Sequence, residues 1–429
     1  MDKETLSNYG WIVICVMVLA VMIALATPFG SFVADAVKST TQGLFDVNQN
    51  ALDAAGIVIN NNNFDAVEKH ENKIPEGGTY YVGATANTLG DYTGATVYNA
   101  GDEFPEINTG DIYVYGDYEY RYEKKYGFSG SRTWKDATTT QGGWGVRVLD
   151  DTKTTYEKAI EYINGKPVTN LERTYSWCHN MTTSPALPAT TIDITFAYQH
   201  CIGLTDLSNL VLPDTITETE CAFGSCFNLT KAPTLPSALV NARRMFESCE
   251  SLVVTPYIPD SVTDMFGMFD GCKKLTTVTN IPKNVYNLSE TFDSCTSLVT
   301  APDLSHCDNL YYLSRTFWKC TALTAMPKLP QNVVYLTQCF EGCTSLTSTT
   351  EIPESATELG YVFKDCTALS GSITVNSNPN TWSGMIYKTS ITKILGNTEK
   401  AECIMESKWS TVSNPEPYDP PEDDFWEDI

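Results

Sequence analysis

MFDGCKKLTTVTNIPKNV at 268–285 and CFEGCTSLTSTTEIPESA at 339–356 are two copies of one pattern. An aromatic ring stands three residues before a cysteine, a leucine three after it, and Ile-Pro-x-x-Val or Ile-Pro-x-x-Ala closes the copy. Outward from these, Phe-x-x-Cys-x-x-Leu recurs at Phe223-Cys226-Leu229, Phe246-Cys249-Leu252, Phe269-Cys272-Leu275, Phe292-Cys295-Leu298, Phe317-Cys320-Leu323, Phe340-Cys343-Leu346 and Phe363-Cys366-Leu369. Two earlier copies use tyrosine, Tyr175-Cys178-Met181 and Tyr198-Cys201-Leu204. The nine cysteines lie 23, 25, 23, 23, 23, 25, 23 and 23 residues apart. A fixed period in the twenties with apolar positions in register marks a solenoid.

The physics is one-dimensional. A coil this short cannot bury its own Phe, Cys, Leu and Ile, but stacking on a neighbour makes a continuous core. At a strand spacing of roughly 4.8 Å the copies make a stack about 40 Å long. Each coil is expected to contribute a short strand just after its Cys-x-x-Leu.

The two quoted copies resemble the BspA-like leucine-rich repeats of bacterial surface proteins: aromatic, Gly-Cys, Ser-Leu, then Ile-Pro-x-x-Val. The resemblance spans 175–371. It implies a ligand-binding or adhesion role displayed at the bacterial cell surface, without catalysis. Two 25-residue copies and the extra Cys221, Cys307 and Cys339 depart from the pattern.

The residue after each repeat leucine is mostly Thr, as at Thr205, Thr230, Thr276, Thr324 and Thr347. Strand alternation turns these hydroxyls away from the core, so they form a candidate docking stripe for an extracellular protein or glycan. The competing reading is that Thr forms strands well and tolerates water. Trp318 is the lone aromatic candidate for a binding hot spot.

The in-register thiols read as buried, small and apolar. Equivalent side chains in stacked coils lie too far apart for disulfides, and no Cys-x-x-Cys exists for a metal. The redox state of Cys221, Cys307, Cys339 and Cys403 stays open. His179 beside Cys178 and His200 beside Cys201 occupy different repeat positions, and a core-facing thiol is inert. No G-x-S-x-G, H-E-x-x-H or phosphate loop occurs, so no enzyme, metal or cofactor is expected. With 28 basic against 52 acidic residues the net charge is −24, which argues against nucleic acid as a partner.

The flanks are different in kind. Residues 11–26, WIVICVMVLAVMIALA, carry no polar side chain, and Phe29, Phe32, Val33, Val37, Leu44, Val47 and Leu52 continue at helical spacing. Residues 9–53 would thus contact membrane or like subunits. The layout resembles type IV pilin-like subunits, although Cys15 stands where that family has Glu. Residues 64–150 are rich in Tyr and Gly and read as strands, with a hairpin turning at Gly116-Asp117. Their aromatics suit either sugar stacking or cross-strand pairing, the latter being the plainer reading. Thr154 to Glu157 form a capping box that predicts a helix over 155–163.

The expected fold is α+β and multidomain. A long apolar then amphipathic N-terminal helix (1–60) precedes a small antiparallel β domain (64–150) and a cap helix (151–174). A leucine-rich-repeat solenoid of about nine 23-residue coils (175–371), a C-terminal cap (372–412) and an acidic disordered tail (413–429) follow. The expected function is a non-catalytic adhesion or ligand-binding protein, N-terminally anchored at the bacterial surface. The rivals are a pilin-like subunit whose leading helix builds a filament or homo-oligomer, and a carbohydrate-active enzyme using the Tyr-rich domain.

Overall fold

The computed structural model describes residues 57–59, 66–68, 73–126, 133–136, 142–406 and 408. The chain divides into two compact units, Met1–Lys73 and Ile74–Ile429. In the first, β1 (Ile57–Ile59) pairs antiparallel with β2 (Ala66–Glu68), Val58 opposite Val67.

The second unit contains β3 (Thr79–Val82), β4 (Thr96–Asn99), β5 (Ile112–Tyr115), β6 (Tyr118–Tyr122), β7 (Lys124–Tyr126), β8 (Trp134–Asp136) and β9 (Trp144–Val148). It continues with β10 (Tyr162–Ile163), β11 (Lys166–Asn170), β12 (Ser370–Thr374), β13 (Ser390–Leu395) and α1 (Ala401–Glu406). Seven of these form one sheet in the order β10-β11-β9-β6-β5-β3-β4. All its pairs are antiparallel except β11 with β9. Gly116, at φ 56°, makes the tight turn between β5 and β6.

Tyrosines make up much of the core of this sheet. Tyr80, Tyr113 and Tyr120 face one another across three strands, with ring centroids 6.2 and 6.1 Å apart, and Trp144 packs 6.0 Å from Tyr80. All four are buried, so they cannot serve as a sugar platform. Buried Glu119 is equally committed. Its carboxylate accepts from Gly90 N, the Tyr92 hydroxyl, Arg121 Nε and Trp134 Nε1 at 2.8–3.0 Å. Arg121 in turn donates to the carbonyls of Ala86 and Thr88, both at 2.8 Å. This network ties the 83–92 loop and β8 to the sheet.

The same sheet runs into the repeat. Asn170 at the end of β11 bridges in parallel to Asp193, which bridges to Glu218. After the Thr219 hydroxyl donates to the Asn241 carbonyl, the ladder resumes as Asn241–Asp264–Asn287–Tyr312–Tyr335–Glu358–Thr381. Beneath it the aromatics stack in file, from Tyr175 through Tyr198 and Phe223 to Phe363. Successive centroids are 5.1–6.0 Å apart and the rings lie within 20° of parallel. Phe246, Phe269, Phe292, Phe317, Phe340 and Phe363 are fully buried.

Two left-handed residues bracket each ring, two before it and two after: Arg244 and Ser248 around Phe246, Gly267 and Gly271 around Phe269, Arg315 and Lys319 around Phe317. They let the chain turn sharply through ring, cysteine and leucine. In each turn Cys N–H donates to the ring residue's carbonyl and Leu N–H to the Cys carbonyl, as with Cys272 to Phe269 at 3.1 Å and Leu275 to Cys272 at 3.0 Å. A tenth, degenerate coil follows, in which Gly384 and Lys388 bracket Ile386, and Thr389 stands where the cysteine would be.

Several expectations are corrected. The fold is not α+β with a long helix: among the described residues, the one α-helix is the six-residue α1. No described helix is long and apolar enough to cross a membrane. The apolar 11–26 stretch, the 9–53 contact region and the 413–429 tail lie outside the described residues, while Ile57–Ile59, assigned to the leading helix, is a strand.

The 155–163 cap helix does not form either. The sheet takes its backbone groups: Asp117 accepts from Glu157 N at 3.0 Å, the Tyr120 hydroxyl accepts from Ile160 N at 3.2 Å, and the Tyr118 hydroxyl donates to the Glu157 carbonyl. A strand edge, β9 and β11, thus meets the first coil where a helix was expected. The strand after Cys-x-x-Leu shrinks to single bridges such as Val254–Thr277 and Ala325–Ser348, and the continuous ladder lies upstream of the ring.

Candidate ligand-binding face

Each rung of the long ladder up to Glu358 stands eight residues before its repeat cysteine, Thr381 stands eight before Thr389, and strand alternation turns the rung side chains away from the stacked rings. The rungs and their neighbours carry a dense, mixed chemistry. Tyr312 and Tyr335 stack at 4.9 Å and 14°. Tyr311 meets both edge-on, at 4.9 and 5.4 Å, and Tyr286 meets Tyr312 at 6.4 Å. The exposed Tyr286 donates its hydroxyl to Asp264 at 3.0 Å, and Arg243 reaches the same carboxylate at 3.3 Å while lying 4.6 Å over Phe266. At the other end Glu358 accepts from the Thr381 hydroxyl at 2.8 Å.

A charged row runs beside these rungs. Arg244 pairs with Glu247 at 3.2 Å and Glu290 at 3.7 Å, and Arg315 with Glu290 and Asp293, both at 3.3 Å. Burial, followed by the nearby Asp293 and Glu247 carboxylates, pushes Asp270 up to about 8. Burial raises Asp293 to about 6, with Ser294 and Arg315 opposing. Trp318, half-buried, has the Arg315 guanidinium 4.7 Å and the Lys319 ammonium 3.6 Å from its ring. It therefore belongs to this charged row and not to the threonine stripe.

The threonine stripe lies elsewhere on the coil. Thr205, Thr230, Thr276, Thr324 and Thr347 are exposed. Their hydroxyls largely serve the stack: Thr230 donates to the Thr205 carbonyl at 2.7 Å, Thr276 to Val253 at 3.3 Å, Thr324 to Val299 at 3.3 Å and Thr347 to Thr324 at 3.2 Å. A hydroxyl already donating has only its lone pairs left for a ligand. The rungs went unread in the sequence because Asp, Asn, Tyr and Glu alternate there. Their constant offset of eight from the cysteine was the available signal.

The cysteines Cys178, Cys201, Cys226, Cys249, Cys272, Cys295, Cys320, Cys343 and Cys366 are buried free thiols. From Cys201 onward each donates its S–H to the carbonyl of the ring residue one coil back, at 3.0–3.3 Å. Cysteine is thus both a small core side chain and a hydrogen-bond donor there. Burial pushes the Cys226 and Cys366 thiols up to about 12. Cys221, Cys307 and Cys339 are also buried free thiols, and Cys403 is exposed.

Among the described residues one thiol and imidazole come together, Cys307 Sγ and His306 Nε2 at 3.8 Å. That nitrogen faces the Ile281 carbonyl at 2.9 Å, which only an N–H satisfies, so it cannot take the thiol's proton. His179 points outward while Cys178 is buried.

The profile of the BspA type leucine rich repeat region matches residues 172–299 and 303–403 in six copies. Among solved structures, a leucine rich cell surface protein from Faecalibacterium prausnitzii is similar at 17% identity over 73% of this chain and 100% of its own, TM-score 0.36. A leucine-rich repeat protein from Bacteroides ovatus is similar at 16% identity over 62% of this chain and 87% of its own, TM-score 0.33. An internalin from Listeria monocytogenes is similar at 11% identity over 60% and 78%, TM-score 0.19. The search of curated proteins found no match.

Proposed function

The chain belongs to the BspA-type leucine-rich-repeat family of bacterial surface proteins, and from that premise we propose a non-catalytic, surface-displayed adhesion protein whose long ladder binds an extracellular protein. The observation that carries this reading is the run of partly exposed rungs from Asn287 to Glu358, with Tyr286, Tyr311, Tyr312 and Tyr335 grouped along it. Tyrosine supplies large, rigid contact area at low entropic cost, and flanking carboxylates supply directional hydrogen bonds. The whole ladder from Asn241 to Thr381 has seven rungs, which at roughly 4.8 Å span about 30 Å, a length suited to a protein interface.

Two further features favour binding over turnover. Glu119, the most enclosed carboxylate of the Tyr-rich sheet, spends its lone pairs on four internal donors. The thiol beside His306 lacks a base.

The test has two arms. Antibody against the chain should label intact cells, and immobilised protein should bind members of a panel of purified extracellular-matrix proteins. Binding that falls at least about tenfold in a Tyr311→Ala, Tyr335→Ala double variant supports the ladder face. Undiminished binding, or no labelling of intact cells, refutes it.

A further inference from the structure

The left-handed residue just before each repeat cysteine is Ser225, Ser248, Gly271, Ser294, Lys319, Gly342 and Asp365 in the third to ninth coils. The first two coils hold Trp177 at φ 67° and His200 at φ 59° instead. A bulky ring in this conformation costs roughly 1–2 kcal/mol and persists only where something else retains it. Core packing does not, because the Trp177 side chain is 46% exposed. Its ring instead stacks on His200, 4.0 Å away and 22° from parallel. His179 flanks it at 5.5 Å, and Phe227, 38% exposed, meets His200 edge-on at 6.1 Å. Four rings from three successive coils therefore form one row at the surface.

We propose that Trp177, His179, His200 and Phe227 form a platform for a neutral glycan chain. Aromatic faces pack against the C–H faces of pyranose rings, and imidazole nitrogens can donate to and accept from sugar hydroxyls. The row contains no carboxylate, ammonium or guanidinium. Burial and the neighbouring His179 hold the His200 imidazole below its ordinary range, which favours its neutral form. That chemistry disfavours an anionic ligand. Four partly exposed rings also offer far less area than the roughly 800 Å² each partner contributes to a standard protein interface, which favours a narrow, flat occupant. The proposal is independent of the tyrosine rungs, which lie several coils further along.

The test is calorimetric titration of the purified full chain with neutral oligosaccharides of glucose, galactose, mannose and N-acetylglucosamine. At least one series is expected to bind, with affinity falling about tenfold or more in Trp177→Ser and in Phe227→Ser. A Tyr311→Ala, Tyr335→Ala variant should bind as wild type does. Ser is the residue three other coils use at the Trp177 position, and Phe227 has no left-handed backbone, so one variant can decide should the other misfold. Absence of binding to every series, undiminished binding in the folded variants, or a preference for acidic sugars or peptides overturns the proposal.

Discussion

Cys272 Sγ donates to the carbonyl oxygen of Phe246, one coil earlier, at 3.3 Å, while that oxygen also accepts the N–H of Cys249 at 3.1 Å. One carbonyl thus joins the turn of its own coil to the coil stacked on it. Replacing Cys272 by Ala removes both a buried sulfur and this second bond. We expect a loss of about 1–2 kcal/mol, read as a lowered urea midpoint. Cys272→Val, which fills space without a donor, should not restore the wild-type value.

The left-handed turns predict opposite signs at equivalent positions. Gly271 has φ +69°, and a Cβ there would lie 3.2 Å from Ser248 Oγ, so Gly271→Ala should destabilise by about 1–2 kcal/mol. Ser248, at φ 57°, already pays for its Cβ, and Ser248→Gly should stabilise by about 0.5–1 kcal/mol. Thermal unfolding of the two variants side by side checks this.

Why the inner column was legible and the outer one was not follows from what each must satisfy. Phe246, Cys249 and Leu252 each meet the same atoms in the neighbouring coil, so every coil demands the same residue type. A rung such as Asn287 or Tyr312 contributes its backbone to the ladder, and its side chain is left to vary. Likewise, Thr154 to Glu157 carry a good local signal for a helix start, but Asp117, Tyr118 and Tyr120 offer partners that no local window contains. Trp177 and His200 are far apart in the chain and adjacent only because they share a register.

Stability should depend on pH through the charged row. The Asp270 carboxyl lies near 8 when folded, above its unfolded range, so the folded chain binds the extra proton. Its contribution is complete below about pH 4 and is lost as pH rises toward 8. Asp270→Asn should flatten this part of the profile and raise stability at pH 8 by more than about 1 kcal/mol. Denaturant midpoints measured at several pH values would show it. A profile unchanged by the substitution would contradict the assignment.

Glu119→Gln should be costly. It leaves the buried guanidinium of Arg121 without its carboxylate partner, and we expect about 3–5 kcal/mol of lost stability. The 83–92 loop, held through Arg121 and Gly90, should become susceptible to limited proteolysis.

Thiol chemistry should separate one described cysteine from the rest. Cys403 is exposed and should react with iodoacetamide in the native protein, whereas the twelve buried thiols should react only on unfolding. Mass spectrometry of the alkylated peptides distinguishes them.

The sulfur ladder has a beginning and an end, each marked by a hydroxyl. At the first coil Cys178 receives the Tyr156 hydroxyl at 3.3 Å, and at the tenth Thr389 returns its own hydroxyl to Ile386 at 2.8 Å instead of reaching back to Phe363. Between those two stops every unit offers its successor the same socket and fills the same socket in its predecessor. Evolution, or an engineer, can therefore lengthen or shorten the array by whole units from its interior, leaving both terminators untouched.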